Sequence, residues 1–444
     1  MIETQQILLE LSELLRQYYN GSFSKMVCEY IRTTGMPSQD VEGKYSSEGK
    51  TTLFMKLLLL IGLCAICFSC QTNTKQVEPL YVKGLAEAKK ITFPIDEDTY
   101  YHSRYMFQFE EGKNELLVFQ NTEKGTHKII VFDISNQKVF KEIPIRREGP
   151  NGISRLNGCY PFFDSQTFLL FQNSVSKTSV YTDQGEILKN YSIRHSDKTF
   201  TTNIITSNLY HPCFIKDSIL YLANDDIHQR MKKGDWQRSH LFRAQDLRTE
   251  ELWKLPFVYP SVFNMEVKNP SGGYEYSYDF NHKDNVLVCS FCGYDSIMVT
   301  DDMKNARWYN GKSRYLKPLH PVVGESADGF EWIGKQKQSG EYWHFMYDKY
   351  RDVYYRFVEH PCELGPGEYP MDEPKAREFS VIIFDKDFNI IGETKFPGNK
   401  YFYKMSFVGR DGLYISENNL ANPDFDENKL VFACFKLEDL KKNN

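Results

Sequence analysis

The chain has 444 residues and a formal net charge of −5, with 54 Lys and Arg against 59 Asp and Glu. That balance supplies no basic field for a phosphate backbone and argues against a nucleic-acid partner. Aromatic residues make up 15% of the chain, 29 of them Tyr and 32 Phe, an enrichment that suits pleated, half-buried surfaces.

In chain order, residues Gln5 to Tyr19 carry an amphipathic helical pattern (Ile7, Leu8, Leu11, Leu14, Leu15), and Gly35 to Thr52 is polar without periodicity. The next segment, MKLLLLIGLCAICFSC from Met55 to Cys70, has a lysine, an apolar run, a small residue and then cysteine. The run from Leu57 to Ser69 is too short to span a hydrocarbon core, which takes about twenty residues. It reads as a lipoprotein signal, with Lys56 as the positive region and Cys70 as the lipidated N-terminus. Cys67 stands where the usual signal has Leu, so the pattern is relaxed. A cleaved signal without lipid and a short buried helix are the other readings. Signals of this kind are read at an extreme N-terminus, so residues 1–54 are expected to be a non-native extension, disordered or loosely helical; a cytoplasmic tail is the alternative. Residues 71–88 then form a tether. QTNTK after Cys70 lacks an acidic run, which favours an outer-membrane anchor facing the periplasm.

From Lys89 to about residue 440 a unit recurs: an apolar, often aromatic strand, an Asp-containing polar turn, and a second alternating strand. It begins at Lys128 (KIIVFDISNQKVFKEIPI), Thr178, Ser239, Asp295 and Phe379, each time preceded by another strand pair. Asp, Asn, Gly and Ser at the turns favour hairpins. About four short strands per unit is the signature of a propeller blade. The expected fold is an all-β six-bladed β-propeller, its ring closed by an N-terminal strand near residues 89–95 (KKITFPI). Seven blades is the alternative, since Tyr259 to Glu331 is long.

The signal, the blade pattern and the loops RREGPNGIS (Arg146 to Ser154) and ELGPGEY (Glu363 to Tyr369) together resemble the uncharacterised TolB-like six-bladed β-propeller lipoproteins of Bacteroidetes. The resemblance implies an envelope location and carries no catalytic residues.

The patterns of a serine nucleophile elbow, a zinc-protease helix and a P-loop are absent. Six cysteines in the body are no disulfide framework, and Cys289 and Cys292 lie three apart on a strand, facing opposite sides. His-Pro-Cys occurs at His211 and at His360. These histidines are candidate metal ligands if they converge on a pore; packing beside loop prolines is the other reading, and no cofactor is expected. DFDEN from Asp424 and IDED from Ile95 lack the Gly and distal Glu of a calcium loop. Ligand-binding candidates are Arg146, Arg147 and Asn151, exposed by the Gly149-Pro150 turn, together with Trp343 and His344. Trp236, Trp332 and Tyr342 are further aromatics that could stack on a ligand. Two functions fit: a tethered binding or scaffold module for a protein, peptide or glycan, or a polysaccharide lyase or hydrolase at the pore.

Overall fold

The computed structural model is all-β and describes residue 79 and residues 81–121, 127–153, 156–161, 164–172, 177–192, 206–224, 240–263, 275–319, 337–363 and 377–440. The extension at 1–54, the signal with Cys70, most of the tether, Trp236 and Trp332 lie outside the described residues.

Strand β1 is Lys83–Pro94, so residues 83–88, placed in the tether by the sequence reading, belong to the sheet. Four antiparallel four-stranded sheets follow. The first holds β2 to β5 (Met106–Glu111, Asn114–Asn121, Lys128–Asp133, Lys138–Pro144). The second holds β6 to β9 (Leu156–Pro161, Thr167–Gln172, Lys177–Thr182, Ile187–Ser192). The third holds β10 to β13 (Phe214–Lys216, Ile219–Ala223, Phe242–Asp246, Leu252–Lys254). The fourth holds β14 to β17 (Tyr276–Asn281, Val286–Phe291, Ser296–Thr300, Arg307–Asn310). The remaining strands are β18 (Glu341–Asp348), β19 (Val353–Glu359), β20 (Phe379–Phe384), β21 (Ile390–Phe396), β22 (Phe402–Gly409), β23 (Gly412–Ser416) and β24 (Lys429–Asp439). They form one eight-stranded sheet with β1, in the order β18-β19-β20-β21-β1-β24-β23-β22.

This corrects the expected six-bladed, or seven-bladed, propeller with ring closure near 89–95. The fold is four propeller-like blades plus one larger sheet whose end strands, β18 and β22, touch, curling it into a nearly closed, barrel-like form. The cause is β1, which is hydrogen-bonded on both sides. It pairs antiparallel with β24 from Lys83↔Asp439 to Pro94↔Lys429 and meets β21 in parallel at Lys83↔Gly392. A Cβ on Gly392 would sit 2.2 Å from the Lys83 carbonyl oxygen, so glycine permits that fusion.

The middle strands are apolar on both faces because neighbouring sheets stack on each side. On β3, Leu116 and Val118 pack with Phe168 and Leu170 of the second sheet, while Leu117 and Phe119 pack with Phe407 and Phe432 of the large sheet. Alternation along one strand thus feeds two cores. The fourth strands face water: β5 and β9 are mostly exposed.

The recurrent Asp closes the last hairpin of several units. Asp133 accepts from Asn136 N at 2.9 Å, Asp246 from Arg248 N at 2.7 Å, Asp302 from Lys304 N at 2.8 Å and Asp385 from Asp387 N at 2.9 Å. Such Asx turns supply a local substitute for ladder hydrogen bonds.

Candidate functional site

Before β10 the chain runs from Thr206 to His211 across the ends of the other first strands and ties them together. Thr206 Oγ1 donates to Asn157 O on β6 at 2.9 Å, and Leu209 N donates to Arg104 O ahead of β2 at 2.8 Å. Tyr278 N of β14 donates to Tyr210 O at 3.0 Å, and His344 Nε2 of β18 donates to Leu209 O at 2.7 Å. Tyr210 Oη donates to Lys404 O of β22 at 2.9 Å. Asn208 Oδ1 accepts from Tyr210 N and His211 N and so shapes the segment. Ser207, Asn208 and Leu209 are buried. The segment is a plug at the convergence of the sheets.

The close approach of β6 to this plug depends on Gly158, whose φ is +137° and whose added Cβ would lie 2.2 Å from Ser207 O. Gly158→Ala is expected to destabilise the protein by about 1–3 kcal/mol from backbone strain alone, more once the plug is displaced. Urea unfolding checks this; an unchanged midpoint would show that the contact is not needed.

Beside the plug lies a cavity of about 230 Å³. Tyr210, Tyr276, Tyr342 and Trp343 supply its aromatic wall; Asn157, Thr206 and Asn208 supply amides and a hydroxyl; Arg104, His211, Glu275 and Cys292 complete the lining. The tyrosine hydroxyls are turned to the protein: Tyr276 donates to Leu241 O and Tyr342 to Asp295 Oδ1, each at 2.6 Å. Trp343 meets Tyr210 edge-on at 5.2 Å and carries Lys404 Nζ 4.3 Å over its ring. Burial pushes the Cys292 thiol far above its ordinary range, so it is no nucleophile at neutral pH.

Of the sequence candidates, Trp343 lines this cavity. His344, next along the strand, points the other way, and burial lowers its pKa to about 3; it is a neutral donor holding the plug. His211 lines the cavity, its Nε2 donating to Tyr276 O at 2.6 Å. His360 is elsewhere, with Nε2 3.0 Å from Ser380 Oγ and its ring beside Tyr315. Among the described residues no group of three His, Cys, Asp or Glu side chains could hold a metal ion. Arg146 and Arg147 are exposed on the turn after β5 and are not part of the cavity lining. Gly149, at φ +92°, accepts from Gly152 N at 2.9 Å to form that turn, and Asn151 Oδ1 accepts from Ile187 N at 3.3 Å to pin it to β9. Arg104, Asn157 and Tyr210 carry no motif; the signal that could have marked them is their position at the entry to a first strand.

Behind Trp343 lies a buried charge cluster. Arg377 Nη1 is ion-paired with Glu359 and lies 3.4 Å from Glu341 Oε1, while Lys404 Nζ is 3.6 Å from Glu359 Oε1. Glu341 and Glu359 face each other across β18 and β19. Burial and the neighbouring Glu359 charge push the Glu341 carboxyl well above its ordinary range, the direction that favours its neutral form. Burial opposes ionisation of Glu359 too, but Arg377 and Lys404 outweigh it and hold that carboxylate low.

The fold and cavity define an all-β, propeller-like protein with a small pocket where its first strands meet. The chain belongs to the family described as domain of unknown function DUF4221, whose model matches residues 84–395. A crystal structure of a DUF4221 family member from Bacteroides vulgatus is 52% identical, with a TM-score of 0.77, covering 81% of this chain and 99% of that one. A structure from Bacteroides fragilis, named as a proposed exported protein, is 10% identical with a TM-score of 0.50, covering 81% of this chain and 96% of that one; this likeness shows the fold alone. No curated protein matches the sequence.

Proposed function

We propose that this DUF4221 protein is an exported, lipid-anchored binding module whose ligand sits in the plug-side cavity. The observation that carries the reading is the convergence of side chains from every sheet on one pocket with an aromatic wall, open polar groups and an arginine. That composition matches ligand sites, which combine apolar walls with a few oriented polar groups. The Met55 to Cys70 pattern supports export and diacylation of Cys70, and the fold is shared with a protein named as a proposed exported one. Among the described residues no helix is long and apolar enough to cross a membrane. Binding is favoured over polymer cleavage because glycoside hydrolysis takes two carboxylates, whereas Glu275 is the one carboxylate of the lining among the described residues and Glu341 and Glu359 lie behind Trp343, beside Arg377.

Two measurements test this. Mass spectrometry of the mature protein is expected to find lipidated Cys70 at its N-terminus, and peptides from residues 1–54 would overturn the anchor. The detergent-solubilised full chain, applied to glycan and peptide arrays, is expected to retain a ligand that Trp343→Ala releases without lowering the melting temperature. Retention indifferent to Trp343, or turnover of an arrayed polymer, would overturn the binding reading.

A further inference from the structure

Resting on that reading of the cavity, we propose that the ligand is an acidic sugar, a single uronate-type ring whose carboxylate is held by Arg104 and whose hydroxyls are held by Asn157. The other cations near the cavity are spent. Lys404 and Arg377 are ion-paired with Glu359, and Arg356 is enclosed by backbone carbonyls. Arg104 differs. Its side chain is exposed, its Nη2 donates to the adjacent Tyr105 Oη at 3.1 Å, its guanidinium lies 5.2 Å over the Tyr105 ring, and among the described residues it has no carboxylate partner. A planar guanidinium presented this way matches a carboxylate with two parallel hydrogen bonds.

Asn157 is the second open group. Its carbonyl accepts from Thr206 Oγ1, while its side-chain amide makes no hydrogen bond among the described residues. An amide offers a donor and an acceptor together, which suits ring hydroxyls. The tyrosine hydroxyls of the wall are turned to protein carbonyls or Asp295, so those residues present apolar surface to a ring.

Charge and size narrow the choice. Among the described residues Arg104 is the one guanidinium of the lining and balances one negative charge, whereas a phosphate dianion calls for more. A free amino acid needs an anion for its ammonium. Glu275 is the carboxylate of the lining, its Oε2 3.9 Å from the Cys292 Sγ, so phenylalanine, which carries an ammonium as well as a carboxylate, is the competing ligand that the test includes. The 230 Å³ of the cavity has room for one sugar ring.

The test is calorimetric titration of the detergent-solubilised full chain with the methyl glycosides of glucuronic, galacturonic and mannuronic acids, the matching neutral hexosides, and phenylalanine as a zwitterion. At least one uronide is expected to bind tenfold or more tighter than its neutral counterpart. Arg104→Gln should erase that ratio while weak hexoside binding remains, and Asn157→Ala should weaken both. Arg104 is exposed, so its variant is expected to fold, and an unchanged melting temperature verifies that. Equal affinity for uronides and hexosides, a preference that survives Arg104→Gln, or tightest binding of phenylalanine overturns the acidic-sugar inference and leaves the cavity as the ligand site. If no probe binds and array retention is also indifferent to Trp343→Ala, both readings fall.

Discussion

Arg356→Met is expected to cost about 3–5 kcal/mol of stability, the range for removing one member of a buried charged arrangement. Arg356 is fully buried and has no carboxylate in its fork. Its Nε donates to Ser290 Oγ at 2.8 Å, Nη1 to the carbonyls of Asp295 and Gly311 at 2.8 Å each, and Nη2 to those of Phe291 at 3.2 Å and Tyr294 at 2.7 Å. The guanidinium also lies 3.4 Å over the Tyr342 ring. Burial lowers its pKa to about 10, partly offset by Tyr342 and Asp295, so it remains a cation at neutral pH. Methionine fills similar space but leaves these acceptors without a donor, each at a desolvation cost of about 1–3 kcal/mol. Part of that is returned because a charge no longer has to be buried, which is why the total falls below the sum. The residue joins the large sheet, through β19, to the fourth blade, so the loss should appear as a lower urea midpoint and a looser Tyr342 in the cavity wall. A midpoint within 0.5 kcal/mol of the parent would show that relaxation or water replaces the fork.

Glu359→Gln is expected to cost a similar ~3–5 kcal/mol, whereas Glu341→Gln should be near neutral around pH 4, close to the unfolded carboxylate value, and stabilising at neutral pH, although the two carboxyls are neighbours. Removing the Glu359 charge leaves Arg377 and Lys404 buried or half-buried without their anion. Glutamine at 341 reproduces the neutral donor that the protonated Glu341 already is. The pH dependence separates them further. Glu359 is held low in the folded protein, so its stabilisation is present above the unfolded carboxylate value of about 4.3 and is lost as pH falls below it. Glu341 is held high, so above about pH 4.3 the unfolded chain releases a proton that the folded one keeps. Its contribution therefore declines as pH rises towards the folded value. Unfolding measured from pH 3 to 8 should show Glu341→Gln with a flatter neutral limb and Glu359→Gln without the acid one. Equal damage from both substitutions would mean that Glu341 is ionised in the native state.

How far each feature could be read from the sequence follows the range of the interaction that makes it. The strand-turn-strand unit from Lys128 became β4 and β5, and the one from Phe379 became β20 and β21, because alternation and the capping Asp act within a few residues. Trp343 stood out as a large aromatic and lines the cavity. Arg146 and Arg147 stood out beside Gly149 and Pro150, but that motif encodes a turn and does not carry the arginines to the pocket. His211 and His360 share a tripeptide and sit in different surroundings, since Pro fixes a local backbone and says nothing about the distant partner of the imidazole.

The sequence by itself determined an all-β chain of repeated hairpins, each an apolar strand, an Asp-containing turn and an alternating strand, because pleat alternation and turn chemistry are local. It also lacks the patterns of a serine nucleophile elbow, a zinc-protease helix and a P-loop. Only the tertiary structure decided how many sheets there are, because that depends on β1 bonding to both β24 and β21 across more than three hundred residues. The tertiary structure alone also decided where the site is. Arg104, Asn157 and Trp343 come together with Tyr210 only when the Thr206 to His211 segment crosses the strand ends, bonding to the carbonyls of Arg104 and Asn157 and to His344, the neighbour of Trp343. No periodicity records that crossing, since apart from the His344 imidazole its partners are backbone carbonyls and amides that every residue carries.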